Sequence, residues 1–309
     1  MNSPRHIPVL LHEVVEVLAP RAGETFIDAT AGLGGHASAI AAAVSPGGEP
    51  LRVVLNDTDP GNLIHAEGVV RVASPTATIR TLRGNFADLP RRIAELLIPG
   101  DMLLADLGFS SNQIESAERG FSFQREGPLD MRLDPASPTS AADVIASSTE
   151  AELTRILREY GEEPAAPRIA RKLVETRRSA PIVTTRHLAD IVRSVTGPKR
   201  GSTGGGSGQI DPATKTFQAL RIAVNDELGS LDALLSGLDR PRGWLNPGAR
   251  VAIISFHSLE DRLVKRAFAA LVASGRAEPV GRGVIEASPA ELAANPRSRS
   301  AKLRAIRLH

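Results

Sequence analysis

The sequence predicts an α/β protein, a doubly wound, mainly parallel sheet interrupted by an inserted helical domain. Three observations carry this. Short apolar segments alternate with helical periods as far as residue 106, the βαβα pattern of a parallel sheet with right-handed crossovers. A glycine-rich turn, Gly32-Leu33-Gly34-Gly35, directly follows the first apolar segment. The alternation then stops after Asp106, and strand signals return only at Arg250–Ser255 and Leu303–Leu308.

Each element follows from local pattern. Leu10–Leu18 reads as a leading helix and Thr25–Ala29 as the first strand. Gly34–Val44 is a small-residue helix, Leu51–Asn56 the second strand, and Pro60–Arg71 a helix opened by Asp59 and Pro60. Ala77–Leu82, Ala87–Leu97 and Asp101–Asp106 continue as strand, helix and strand. From Ser140 to Thr196 only helical periodicity appears, and Thr149-Glu150-Ala151-Glu152 is a capping-box signature. Gly197–Gly208 is a Gly/Ser-rich segment that cannot pack a core. Past it, Phe217, Leu220, Val224, Leu228, Leu231 and Leu235 predict one long amphipathic helix. The expected division is therefore residues 1–115 and 214–309 as two parts of the sheet domain, with 116–213 inserted as a helical substrate-recognition block.

Composition narrows the function classes. At 309 residues and 42% apolar content the chain supports a real core, filled by aliphatic rather than aromatic side chains. The absence of cysteine excludes disulfides and thiolate metal sites, and the scattered histidines show no metal-ligand spacing, so no metal is expected. No apolar run is long enough to span a membrane, and the N-terminus lacks a signal-peptide pattern. A cytoplasmic protein with no membrane partner is expected. Net charge is only +2, but basic residues cluster at Arg168, Arg171, Lys172, Arg177 and Arg178, at Lys199 and Arg200, and in the acid-free stretch Asn295–His309. Such patches can meet phosphates or simply face solvent.

The stretch Asp106–Asp134 is the most unusual. It has no helical or strand period yet holds Phe109, Phe121 and Phe123, three of the eight phenylalanines. Long irregular segments inside compact domains are functional or disordered, and disordered ones lack aromatics, so this loop is expected to be ordered and functional.

Ligands of open α/β sheets bind beyond the carboxyl ends of the strands. The Gly32–Gly35 turn, Asp57 ending the second strand and Phe86 after the third suit a nucleoside, with Asp57 on the ribose and Phe86 against the adenine. Asp59 is assigned to helix capping instead. A nicotinamide or an adenosyl group would both satisfy these features. Asp28, Thr30 and Asp106, however, surround the turn with acid that would repel a pyrophosphate and suit a sulfonium and an ammonium, which favours S-adenosylmethionine. At the end of the strand Arg250–Ser255, Ser258 with Asp261 is the expected helix cap, and His257 could orient substrate or contact phosphate, or equally serve as a structural donor.

Several of these segments together resemble the bacterial RsmH/MraW methyltransferases: His6–Leu11, Asp28–His36, Asp57–Pro60, Asp106–Gln113, Arg119–Phe123, Gly127–Asp134, Thr216–Leu228, Ile254–Lys265 and Asn295–Lys302. They follow the family's order along nearly the whole chain. Departures are confined to Phe109, Asn112, Arg125-Glu126 and the lengthened 201–208 run. The resemblance implies a class I S-adenosylmethionine-dependent methyltransferase with a Rossmann-like doubly wound sheet and an inserted helical domain. It implies methylation of the 4-amino group of a cytidine in the decoding region of 16S rRNA, within the small ribosomal subunit. Carried over by motif, the S-adenosylmethionine contacts are Gly34, Gly35, His36, Asp57, Phe86, Asp106 and Gln113.

The family lacks the Asp/Asn-Pro-Pro-Tyr/Phe loop of many amino-methyltransferases, so the catalytic roles rest on chemistry. A cytosine amine is a poor nucleophile because its lone pair is delocalised, and an acceptor on the amine would restore electron density. Asp106, Ser110 and Asp130 are the candidates, with Phe121 or Phe123 stacking the base and Arg132 holding a phosphate. A small-molecule methyltransferase, a nicotinamide dehydrogenase and a non-catalytic ribosome-assembly factor are the competing readings, and a homodimer is an open alternative to a monomer.

Overall fold

The computed structural model describes residues 7–44, 48–109, 113–114, 116–197, 211–241, 243–281 and 283–309. They form two compact units: residues 1–108 with 228–309, and residues 109–227.

In the first unit helix α1 (Leu11–Leu18) precedes β1 (Thr25–Asp28), α2 (Gly35–Ala42), β2 (Arg52–Asp57), α3 (Pro60–Ala73) and β3 (Thr78–Arg83). A 3₁₀ turn at Phe86–Asp88, α4 (Leu89–Leu96) and β4 (Gly100–Asp106) complete the unit's first segment. β5 (Leu245–Ser255) pairs in parallel with β4, and β1, β2 and β3 extend the parallel array on the other side. Helix α11 (Ser258–Ala273), the short strands β6 (Ala277–Pro279) and β7 (Ile285–Glu286), helix α12 (Pro289–Ala294) and β8 (Lys302–Leu308) close the chain. The strand order is β3-β2-β1-β4-β5-β8-β6, with β7 also on β8, and β8 runs antiparallel to its neighbours. The sheet is thus the doubly wound, mainly parallel one expected above for a class I methyltransferase, and the reversal of β8 is added by the structure.

Period-two alternation explains why the strands read as continuous apolar runs: both faces are covered. Phe26, Val53, Leu55, Met102, Leu104, Ala252 and Ile254 pack on one face, over α1, α2 and α3. Ile27, Val54, Leu103, Ala105, Val251 and Ile253 pack on the other, together with Leu89, Ile93, Leu234 and Phe268.

The second unit contains α5 (Ala141–Ser147), α6 (Glu150–Glu159), α7 (Ala166–Arg177), α8 (Thr185–Thr196) and α9 (Ala213–Asn225). Capping boxes at Ser140/Asp143 and Thr149/Glu152 open the first two. Leu153, Leu157, Ile169, Leu173, Leu188 and Leu220 build its core. The described part of the loop preceding these helices is tied by its own hydrogen bonds. Arg119 donates to the carbonyls of Arg132 and Leu133, and Met131 N–H returns a bond to Arg119 O.

Three sequence expectations change. The single helix expected across Phe217–Leu235 is two, α9 and α10 (Glu227–Leu238), because Asp226 adopts a left-handed conformation (φ 46°). Asn225, beside it, donates to Met131 O and Arg221 O and accepts from Leu133 N–H, bonds that end the helix. The unit boundaries fall at 108/109 and 227/228 rather than 115/116 and 213/214, since Phe217, Ala219 and Leu220 bury in the helical core. His257, not Ser258, caps α11, in a capping box with Glu260, while Asp261 pairs with Arg304. The Gly/Ser run 201–208, Lys199 and Arg200 lie outside the described residues.

Leu103 is fully buried at the centre of β4. Leu103→Ala should destabilise the chain by about 2–5 kcal/mol, whereas Val72→Ala, at an exposed position, should stay within about 0.5 kcal/mol, read by denaturant unfolding. Equal effects would place Leu103 outside the core.

Candidate active site

The carboxyl ends of the parallel strands carry acids: Asp28 ends β1, Asp57 ends β2, Asp106 ends β4, and Glu260 lies just past β5. Between β1 and α2 the chain turns through Gly32 (φ 49°) and Gly34 (φ 77°), where glycine alone is unstrained. A Cβ on Gly34 would stand 2.7 Å from Ala66 Cα, so α3 also requires glycine there, and one on Gly35 would strike the Pro8 ring.

The turn is held from β2. Ala31 N–H donates to Asn56 O, and Gly32 N–H to Asp57 Oδ2 at 2.8 Å. Asp57 also accepts from Asp59 N–H at 2.8 Å and from Asn62 Nδ2 at 3.3 Å. Asp57 is buried, and burial raises its pKa against these donors. Its carboxylate therefore organises the turn from within. Asp59 caps α3 through Gly61 N–H, as expected. Phe86 is half-buried against the core face, and Asn85 beside it caps the 3₁₀ turn and donates to Ser230 Oγ.

Asp28 is 1% exposed and, among the described residues, accepts a bond from Thr30 N–H at 3.2 Å. Burial, with the charge of Asp57 adding to it and the Thr30 bond opposing it, pushes its pKa up to about 7. Asp106 is tied to the same turn, its N–H donating to Thr30 Oγ1 at 2.7 Å. Its Oδ2 lies 3.6 Å from His36 Nδ1, while Oδ1 is buried and has no hydrogen-bond partner among the described residues. Burial first, then Asp28 and Glu260, holds the Asp106 carboxyl well above the usual carboxylate range. His36 is itself buried, with Nε2 2.9 Å from Val9 O.

Of the residues expected to hold S-adenosylmethionine, Gly34, Gly35, His36, Asp57, Phe86 and Asp106 thus belong to the sheet unit, at the carboxyl ends of its strands. Gln113 belongs to the helical unit, where it is buried. Ser110 lies outside the described residues. Phe121, Phe123, Asp130 and Arg132 are all in the helical unit. Phe121 stacks on Phe109 with centroids 5.5 Å apart, and the Arg221 guanidinium lies 4.9 Å over Phe109, held by Glu227. Phe123 meets the core residue Phe217 edge-on, and Arg193 lies 5.7 Å over its ring. Asp130 and Arg132 engage each other in a two-pronged pair, and Arg132 also donates to Ser137 O. Burial raises the Asp130 pKa, but the Arg132 bonds outweigh it and hold the carboxyl below its usual range.

Glu260 and Arg221 escaped the sequence reading. The Glu260 carboxylate accepts from Phe256 and His257 N–H and adds its charge to Asp106. A histidine followed three residues later by glutamate, just past a strand, was the available signal. The basic clusters divide. Arg304, Arg307 and Lys302 pair with Asp261 or Glu278, and Arg177 donates to the carbonyls of Ile145 and Ser148. Arg168, Lys172 and Arg178 on and just past α7 are exposed. No described helix is long and apolar enough to cross a membrane.

Residues 3–309 match the MraW methylase family. The chain belongs to that family. It is 45% identical to the ribosomal RNA small subunit methyltransferase H of Syntrophotalea carbinolica, the match covering 98% of both chains. The proteins of the same name from Symbiobacterium thermophilum (44%, covering 97% of this chain and 96% of that one) and Geobacter sulfurreducens (45%, 97% of each) are similarly related. As an MraW methylase the chain is a methyltransferase.

The Asp28 environment fixes a pH dependence. Folded, this carboxyl ionises at about 7; unfolded, at its ordinary 3.8. Between those values the folded chain binds a proton that the unfolded chain lacks. Its contribution is therefore full below the unfolded value and is lost as pH rises through 7, up to about 4 kcal/mol. The ligand-free protein should lose Tm between about pH 5 and about pH 8, and Asp28→Asn, with no proton to lose, should flatten that slope. Parallel slopes would rule out Asp28 as the source.

Proposed function

We propose that the protein transfers a methyl group from S-adenosylmethionine to the 4-amino group of a cytidine in the 16S rRNA of the small ribosomal subunit. The observation that carries this reading is the acid-lined turn, with Asp106 Oδ1 buried and unpartnered beside Asp28. Acids so placed favour a cationic ligand. They suit the sulfonium and ammonium of S-adenosylmethionine and disfavour a pyrophosphate, which argues against the dehydrogenase reading. The left-handed glycines let the backbone come close to the ligand. Gly34, Gly35, Asp57 and Phe86 would hold the nucleoside, and Asp28 and Asp106 would face its charge. Gln113 is assigned to the same ligand by its motif alone.

S-adenosylmethionine supplies an activated methyl on sulfur. In the transfer the S–C bond breaks with its electron pair left on sulfur, an N–C bond forms, and the amine gives up a proton. Asp106 is the acceptor that receives it. Its Oδ1 is available, whereas both Asp130 oxygens are engaged by Arg132. Hydrogen bonding to Asp106 raises electron density on the amine before the methyl arrives, and in-line positioning supplies much of the remaining rate. The target base must leave its stack to react. Of the candidate rings, Phe121 is the one assigned to stack the base, because Arg193 lies over the Phe123 ring. The exposed cations of α7 suit the RNA backbone.

Labelled methyl should pass to small subunits from a strain lacking this enzyme and appear as methylated cytidine on nucleoside analysis; its absence would sink the reading. Asp106→Ala should lower saturating turnover at least about 100-fold, with a far smaller change in S-adenosylmethionine Kd. Loss confined to cofactor affinity would make Asp106 a binding residue only. S-adenosylmethionine binding to the protonated Asp28 and Asp106 should release protons near neutral pH, so titration calorimetry in buffers of different ionisation enthalpy should give different apparent heats. Identical heats would show that no proton leaves.

A further inference from the structure

We infer that the sheet unit carries a second ligand site, at the pole opposite the acid-lined turn, where Arg21, Arg250 and Arg307 line a basin that takes a phosphate group. The inference is independent of the substrate proposed above, and its test reads binding rather than methyl transfer.

The basin lies at the amino ends of the parallel strands. Arg21 and Glu24 come from the connection between α1 and β1, Asp101 from the start of β4, Arg250 from β5 and Arg307 from β8, around a cavity of about 290 Å³. Asp106 closes the other end of β4, about 16 Å away at the rise of a strand. The volume is at the small end for ligand sites and suits a phosphate with an attached sugar better than a large ligand.

The two acids of the basin are already committed. Glu24 Oε1 holds Arg250 Nη2 at 2.6 Å, and Glu24 Oε2 accepts from Arg21 N–H at 2.9 Å. Asp101 accepts from Thr25 N–H at 2.8 Å through Oδ2 and from Asn246 Nδ2 at 2.7 Å through Oδ1. The donors are not. Arg250 is 4% exposed and gives Nη1 to Ala19 O, but its Nε is buried without a hydrogen-bond partner among the described residues. A buried donor left so is costly and uncommon. Among the described residues the exposed Arg21 guanidinium makes no ion pair, and Arg307 meets Glu278 alone, at 3.4 Å through Nη1. That last pair is solvent-exposed and weak, so a phosphate can replace it.

Strand register points the same way. Arg250 and Arg307 stand directly opposite each other in the antiparallel β5–β8 pair, so their side chains share one face. Like charges so placed destabilise a sheet unless an anion lies between them. Glu24 serves Arg250 only. The hydrogen-bonding capacity left around the basin is therefore all guanidinium donor, whose planar fork matches phosphate oxygens and offers nothing to a cation.

Titration calorimetry of the full chain with inorganic phosphate, against chloride at constant ionic strength, should show saturable binding with or without S-adenosylmethionine. Arg21→Ala and Arg307→Ala, both at exposed positions, should each weaken it at least about 5-fold. Arg250 is left in place, because its loss would strand Glu24 Oε1. Arg80→Ala, at an exposed position on the far edge strand β3, removes the same charge and should leave phosphate affinity unchanged. All three variants should keep the parent's Kd for S-adenosylmethionine. Displacement of phosphate by a single-stranded oligoribonucleotide, lost in Arg21→Ala and Arg307→Ala, would identify the RNA backbone as the source; displacement by a nucleoside monophosphate but not by the oligomer would identify a free phosphate ester. Absence of saturable phosphate binding overturns the inference. So does an equal loss in Arg80→Ala, which would make the attraction one of overall charge.

Discussion

Crowding of carboxylates at the strand ends constrains the rest of the sheet unit. Buried charge is costly unless donors or countercharges compensate it, and the four acids here are compensated unequally. Among the described residues Asp57 accepts from two backbone N–H groups and an asparagine, Glu260 accepts from at least two backbone N–H groups and Asp28 from one, while Asp106 Oδ1 accepts none. The gradient separates roles. Asp57 and Glu260 build the scaffold, whereas Asp28 and Asp106 keep capacity for a cation or a proton. A site left in that condition is more stable with a positively charged ligand present than without one.

The glycine turn depends on the same arrangement. Gly32 lies close to β2 because Asp57 accepts its N–H, and Gly34 lets α2 approach α3 to within contact of Ala66. Thr30 joins the two least-satisfied acids, its N–H donating to Asp28 and its hydroxyl oxygen accepting from Asp106 N–H. One short turn thereby fixes the relative position of β1 and β4 side chains with few degrees of freedom. Within the helical unit, arginines perform the matching task for aromatic rings. Arg221 and Arg193 lie over Phe109 and Phe123, and each guanidinium is steadied by an acid. An aromatic ring with a cation on one face keeps only the other for a base.

Much of the fold was legible in the sequence. The alternation of strands and helices to residue 106 was readable because buried parallel strands are short continuous apolar runs, and the reversed strand at the C-terminus showed the same signal. The capping box at Thr149 and the Asp59 cap before Pro60 were readable because caps are local chemistry. β6, β7 and α12 were not, since elements of two to six residues are too short to show a period. The break at Asp226 was hidden because the apolar spacing continues in phase across it.

The sequence by itself determined the sheet architecture, the position of the glycine turn, the set of acids at the strand ends and membership of the methylase family, all properties of local pattern and order along the chain. Only the tertiary structure decided what each acid does. Asp57, Asp106 and Asp130 are one residue type read from similar contexts, yet Asp57 is bound by backbone donors, Asp130 by Arg132, and Asp106 by neither. The reason is physical: a carboxylate's reactivity is set by the donors, charges and solvent around it, and those come from residues remote in sequence. His36 beside Asp106 and Glu260 near it lie 70 and 154 positions away along the chain, and no local pattern joins them.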